Sequence, residues 1–281
     1  MFPNLIRRTG TALAALCVSA TVAAQASADT FTVGIVPQFE ALRLASTWLP
    51  ILEELEKRTG HTFEMIGAPT IPAFEVAFQG GEYDIAYMNP YHGVMAEQAQ
   101  GYIPIVRDGS RMLYGILAVR KDSPLQDVKE LDGKKIAFPA PNALGASLLM
   151  RAELDMLHDV QVEESYVSTH SSAYLNTVLG TADAAGGVKS TFESQSDQIK
   201  DNLRILYETS RVPPHPIVVH PRVSDEDRMA IQQAILDLAA TEEGHEMLSA
   251  IPMREAVATD REEYQPLKAM NLENYLIKSG N

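Results

Sequence analysis

Cysteine is almost missing from this sequence. The single one in 281 residues is Cys17, and it falls in an N-terminal segment that reads as an export signal. Arg7 and Arg8 form a positive n-region, Leu13 to Ala24 an apolar run, and Ala26-Ser27-Ala28 a small-x-small cleavage site. The expected mature chain starts at Asp29 and has no thiol. It can form no disulfide and offers no thiolate for metal binding or catalysis, so its stability must rest on packing. Leu16 precedes the cysteine where a lipoprotein signal carries Gly, Ala or Ser, which disfavours lipidation. An uncleaved anchor is the alternative, but the apolar run is short for a bilayer span and no second run follows.

Positive charge is also scarce. Lys and Arg number 23 against 37 Asp and Glu, for a formal net charge of -14. Such a surface repels nucleic acid and anionic lipid, so neither is expected as a partner, and no membrane insertion is expected after signal cleavage. Catalytic motifs are lacking as well: there is no G-x-S-x-G, H-E-x-x-H, Walker loop or G-x-G-x-x-G. The 7 histidines show no H-x-H or H-x-x-x-H spacing. No cofactor and no metal are therefore expected, and the chain is not expected to be an enzyme. A periplasmic hydrolase built from residues distant in sequence is the low-ranking alternative.

What is present is strand-helix alternation, the mark of mostly parallel sheets flanked by helices. Phe31 to Val36 reads as a strand halted by Pro37, and Leu44, Trp48, Leu49, Ile51, Leu52 and Leu55 form a helical face ended by Gly60. His61 to Ile66 is a second strand, Ile71 to Gln79 a helix, and Tyr83 to Met88 a third strand. The order recurs: strand at Lys135 to Phe138, helix through Leu148 to Leu157, strand at Glu164 to Ser168, helix at Ser171 to Leu179, apolar stretch Ala184 to Val188. Asp84 and Asp183 precede the third strand of each unit and read as turn residues. Met112 to Arg120 is strand-like and long enough to pass between units. After the break at Val212-Pro213-Pro214-His215-Pro216, Ile217 to His220 is again a strand, and helices are expected over Asp225 to Ala240, Glu243 to Ile251 and Arg261 to Ile277. The expected fold is α/β and two-lobed, with a two-strand hinge. The signal spans residues 1–28, one lobe 29–115 and 216–281, the other 116–215.

In open α/β sheets ligands bind beyond the carboxyl ends of strands, where helix N-termini offer unpaired N–H groups and partial positive charge. That rule selects four segments, Pro37-Gln38-Phe39, Asn89-Pro90-Tyr91-His92, Pro141-Asn142-Ala143-Leu144-Gly145 and Thr169-His170-Ser171-Ser172, with Tyr87 and Gly187 beside them. Each also has an ordinary structural reading. Asn89-Pro90 has the form of a helix cap, 141–145 of a strand-to-helix turn, and His170 of a surface residue beside a capping serine. Tyr87 and Tyr91 suit core and rim positions, and Lys189 a solvated one.

The segments FTVGIVPQ (31–38), GGEYDIAYMNPYHGVMA (80–96), IAFPAPNALGAS (136–147) and VSTHSSAYLNTVLGTADAAGGV (167–188) together resemble the phosphonate/phosphite/phosphate-binding family of ABC-transporter substrate-binding proteins. These have the type II periplasmic binding protein fold. The resemblance runs from about Phe31 to Ile251 and implies a small oxyanion gripped between the lobes, with an ABC permease as membrane partner. His170 matches a histidine that often joins the ligand in that family. Ala143, Leu144 and Gly145 stand where phosphonate binders carry a Ser-Thr-Ser type cluster, and Gly93 where they carry a tyrosine. An acidic residue that reads the amino group of aminophosphonates is not evident near Gly186-Gly187 and Lys189, which disfavours those ligands. The other reading is a periplasmic sensory subunit for a membrane histidine kinase. Relatives of that kind that bind arsenite use a cysteine, which the mature chain lacks.

Overall fold

The computed structural model describes residues 28–277, so the export signal lies outside the described residues but for its last position. A first unit runs β1 (Thr30–Ile35), α1 (Ala41–Thr59), β2 (Thr62–Ile66), α2 (Ile71–Gln79), β3 (Ile85–Tyr87), α3 (Pro90–Gln100) and β4 (Ile103–Asp108). A second runs β5 (Gly115–Arg120), β6 (Lys135–Phe138), a π-helical turn (Leu144–Leu148), α4 (Leu149–His158), β7 (Glu163–Tyr166), α5 (His170–Val178), β8 (Ala184–Val188), α6 (Lys189–Glu193), α7 (Asp197–Lys200) and β9 (Leu203–Glu208). The chain then returns through β10 (Ile217–Val219), α8 (Asp225–Ala239), α9 (Glu242–Ala250) and β11 (Ala256–Ala258).

The two sheets follow one plan. Their orders are β2-β1-β3-β10-β4-β11 and β7-β6-β8-β5-β9. In each, three parallel strands are followed by a strand contributed by the crossing chain, β10 or β5, which runs antiparallel to both neighbours. The sheets are therefore mixed: most strands in each share one direction, with β10, β11 and β5 reversed. A hydrophobic pattern reports which faces are buried and carries no strand direction.

The likeness of the units extends to single atoms. Asp84 Oδ2 accepts from the Thr32 N–H at 2.8 Å while the Asp84 N–H donates to the Thr32 carbonyl at 3.0 Å. Asp183 repeats this with Lys135 at 3.0 and 2.8 Å. Each aspartate thus pins the start of the third parallel strand to the first. Within the second sheet, Ile116 and Ala118 of β5 join the cluster around Tyr174, and Leu117 and Val119 join the opposite one around Phe138. That is the two-residue period of a strand buried on both faces.

Chain crossings between the sheets lie at residues 109–114 and 209–216. Leu113 and Val212 exchange backbone hydrogen bonds of 2.8 Å there, so the two crossings run side by side. The strand expected from Met112 begins only at Gly115, and β4 and β9 arise where none was expected. The helix expected over Arg261 to Ile277 is instead a series of short turns, broken at Asn271, whose φ of 51° ends a right-handed run. On α1, Trp48, Ile51, Leu52 and Leu55 face the core while Leu49 faces out. Gly60 closes that helix at φ 76°, its N–H donating to the Glu56 carbonyl at 2.9 Å.

Candidate functional site

A small cavity of about 10 Å³ lies between the two sheets, enough for one water-sized molecule. The first lobe lines it with Val36, Gln38, Ile71 and Asn89, the second with Ala143, Leu144, Gly145, His170 and Val188, and the returning crossing adds His215. Ile71 and His170 are the first residues of α2 and α5, Asn89 caps α3, and Leu144 and Gly145 open the π-helical turn. Four element starts from both lobes therefore meet at one point. Their free N–H groups and partial positive charges make a setting for oxygen atoms or an anion.

The sequence at each start explains its geometry. Thr70, Asn89 and Thr169 accept from the N–H three residues on, at 3.2, 2.8 and 3.0 Å, and Pro72 and Pro90 sit in the first turns where no N–H is needed. The Asn89 oxygen is spent on this cap, while its Nδ2 donates across the lobes to the Asn142 carbonyl at 3.4 Å. The turn expected at Pro141 to Gly145 leads into a π-helical turn that brings Gly145 against Gly115. A side-chain carbon on Gly115 would stand 1.9 Å from the Gly145 carbonyl oxygen, so only glycine permits this approach.

Six of the residues selected from the sequence line the cavity: Gln38, Asn89, Ala143, Leu144, Gly145 and His170. The others lie around it. Tyr87 stacks behind His215 with ring centres 5.4 Å apart, and its hydroxyl is buried without a hydrogen-bond partner. Phe39 is half-buried, with the Arg43 guanidinium 3.7 Å above its ring, and shares with Thr169 the wall of a larger hollow of about 400 Å³. Ser171 and Ser172 are half-buried on the first turn of α5, and the Ser172 hydroxyl accepts from Thr169 at 2.9 Å. Tyr91 is buried on α3 outside the lining. The Asn142 side chain bonds to Glu75 and to Ile277. Gly187 serves packing: a side-chain carbon there would stand 1.9 Å from the Tyr174 hydroxyl.

His215 and Glu75 belong to this site and were not selected from the sequence, whereas His92 lies in the selected segment 89–92 and stands behind the cavity. Gln38 Nε2 donates to His215 Nε2 at 3.0 Å, which requires that ring nitrogen to be unprotonated. Burial, with the nearby His170 and His92, pushes the His215 pKa down to about 3. His170 is pushed down to about 4 by burial, and its Nδ1 lies 3.2 Å from the Thr191 hydroxyl. Both imidazoles are thus neutral at pH 7. Behind the cavity, Glu75 bonds to His92 Nε2 at 3.0 Å and to Asn142 Nδ2 at 3.1 Å, while His92 Nδ1 is buried without a partner. The only advance signal for Glu75 was the location of α2 beside the selected loops, and His215, on the returning crossing, had none. Among the described residues no group of three His, Cys, Asp or Glu side chains is arranged to hold a metal, and no helix is long and apolar enough to cross a membrane.

The fold has counterparts among known proteins. Residues 33–264 match the family model described as ABC transporter, phosphonate, periplasmic substrate-binding protein. The chain is 21% identical to the phosphonates-binding periplasmic protein of Escherichia coli (strain K12) over 233 residues, 78% of this chain and 69% of that one. It superposes on a binding protein component of an ABC phosphonate transporter from Pseudomonas aeruginosa with a TM-score of 0.79 at 16% identity, covering 89% of this chain and 88% of that one. PhnD1 from Prochlorococcus marinus (MIT 9301), solved with methylphosphonate, gives the same TM-score and identity over 88% of this chain and 99% of its own. These two likenesses establish the shared type II periplasmic binding protein fold, and the family model supports the transport reading over a sensory subunit. The chain belongs to the phosphonate-type periplasmic substrate-binding proteins of ABC transporters, a family of periplasmic binding proteins and not of enzymes, which take up a small ligand and work with a membrane permease.

Proposed function

We propose that this chain captures a small phosphorus oxyanion of the phosphonate class between its lobes and hands it to its ABC permease, without turning it over. The observation that carries this reading is the meeting of four element starts, Gln38, Asn89 and two neutral histidines on one small interlobe cavity. Backbone N–H groups and side-chain amides suit P–O oxygens, and the methyl groups of Val36, Ala143 and Val188 suit a short organic substituent. Ala143 and Leu144 bring no hydroxyls, so backbone donors take the share that serines and threonines would otherwise carry. Ligand enters when the lobes part about the two crossings and is enclosed when they close. The cleavable signal read over residues 1–28 delivers the chain to the periplasm.

A thermal-shift panel of methylphosphonate, phosphite, phosphate, sulfate and small carboxylates tests this. The reading expects a concentration-dependent rise in melting temperature with at least one phosphorus oxyanion. No rise with any of them would count against it.

A further inference from the structure

The Asn142 side chain stands at the cleft but is fully committed elsewhere. Its Nδ2 donates to Glu75 Oε2 at 3.1 Å and to the Ile277 carbonyl at 2.9 Å, and its Oδ1 accepts from the Ile277 N–H at 3.1 Å. Both amide hydrogens are thereby used, leaving nothing to donate to a ligand. Its backbone carbonyl accepts from Asn89. Glu75 and Asn89 belong to the first lobe, whereas Asn142 leads from β6 into the π-helical turn of the second.

Ile277 ends a segment that itself bridges the lobes. Leu267 is fully buried where the segment packs against α3 of the first lobe, and Leu272 is fully buried where it packs against α4 of the second. Five residues past Leu267 the chain reaches α4 of the second lobe. There the Tyr275 carbonyl accepts from Arg151 at 2.9 Å and the Tyr275 hydroxyl donates to Asp155 at 2.5 Å. The Arg151 guanidinium also donates to the Pro141 carbonyl at 2.8 Å, next to Asn142. The chain therefore ties the lobes a third time, apart from the two crossings at Leu113 and Val212.

We propose that residues 272–277 and Asn142 form a clasp that holds the lobes closed, so that ligand affinity is set in part by residues that make no contact with the ligand. Contacts made only in the closed arrangement weight the open-closed equilibrium, and the apparent affinity scales with the fraction of binding-competent closed form. Asn142 is then a positioning residue. The choice of probe rests on the ligand class proposed above; the clasp itself does not.

The test uses the full mature chain, the double variant Tyr275→Phe/Ile277→Pro and the single variant Asn142→Ala. Tyr275→Phe deletes one hydroxyl, and Ile277→Pro deletes the N–H that Asn142 holds; neither touches a sheet. Methylphosphonate is titrated by calorimetry, its release is timed by stopped flow, and small-angle scattering is recorded with and without it. The clasp predicts a Kd weakened roughly tenfold in both variants, almost wholly through faster release. It also predicts ligand-free variants with a larger radius of gyration than the parent, and ligand-saturated forms that coincide. Equal release rates together with equal ligand-free scattering would overturn it. Should the parent bind no methylphosphonate, the ligand reading fails, while the ligand-free scattering still decides the clasp. Tyr275→Phe alone, the least intrusive change, decides it if the double variant does not fold.

Discussion

Gln38 and His215 are 177 residues apart in sequence and 3.0 Å apart in the fold. The first follows β1 in the first lobe and the second lies on the returning crossing, so their hydrogen bond ties the interlobe cavity to that crossing. An amide nitrogen can only donate, so the pair requires a neutral imidazole. Gln38→Glu places an acceptor-only carboxylate at the same spot and favours the imidazolium. Nitrogen chemical shifts of His215 should then titrate at higher pH in the variant than in the parent. An unchanged titration would mean that the pair does not form in solution.

Stability should fall in acid because two histidines are buried neutral. Burial holds His170 at about 4 and His215 at about 3, against about 6.5 in the unfolded chain. Below the unfolded value the unfolded state binds the extra proton, so stability is fully present above about pH 6.5 and is lost progressively toward the folded values. For His170 alone the difference is on the order of 3 kcal/mol. Urea denaturation at pH 7.5 and pH 5 checks this. The loss between the two should shrink in the double variant His170→Gln/His215→Gln, whose amides do not titrate in this range.

Gly187→Ala should destabilise the second lobe by roughly 2 kcal/mol or more, because a Cβ at 1.9 Å from the Tyr174 hydroxyl forces the ring or the strand to move. Denaturant unfolding of the variant measures it directly. A change below about 0.5 kcal/mol would show that Tyr174 has room to withdraw.

Asp84→Ala should cost about 1–3 kcal/mol by leaving the part-buried Thr32 N–H without its partner, and Asp183→Ala about 0.5–1.5 kcal/mol, because its bond to the Lys135 N–H is exposed to water. Neither aspartate lines the cavity, so ligand affinity should stay within about twofold of the parent. Paired unfolding and titration experiments separate the two effects.

Much of this fold is legible in the sequence, for reasons that can be named. The strand-helix alternation, the repeated aspartate before the third strand of each unit and the loops after β1, β3, β6 and β7 all follow from period and turn chemistry. The antiparallel placement of β5 and β10 does not, because strand direction is set by where a crossing chain finds an open sheet edge. His215 was hidden for a similar reason. Within Val212-Pro213-Pro214-His215-Pro216 it reads as part of a loop, and only the return crossing brings it to Gln38. Glu75 sits on a helix with little other charge, and its burial makes sense only once His92 and Asn142 are seen beside it. Asn142 was legible as a cleft residue, but its partner Ile277 lies 135 positions away.

The central claim is capture of a phosphorus oxyanion at the meeting of the four element starts. Isothermal titration of methylphosphonate into the mature chain, beside Asn89→Ala and His170→Ala, tests it most directly. The account predicts saturable binding with one site per chain, weakened about tenfold or more in each variant, with melting temperatures showing both variants still folded. Binding that is absent in the parent, or equally tight in both variants, would contradict it.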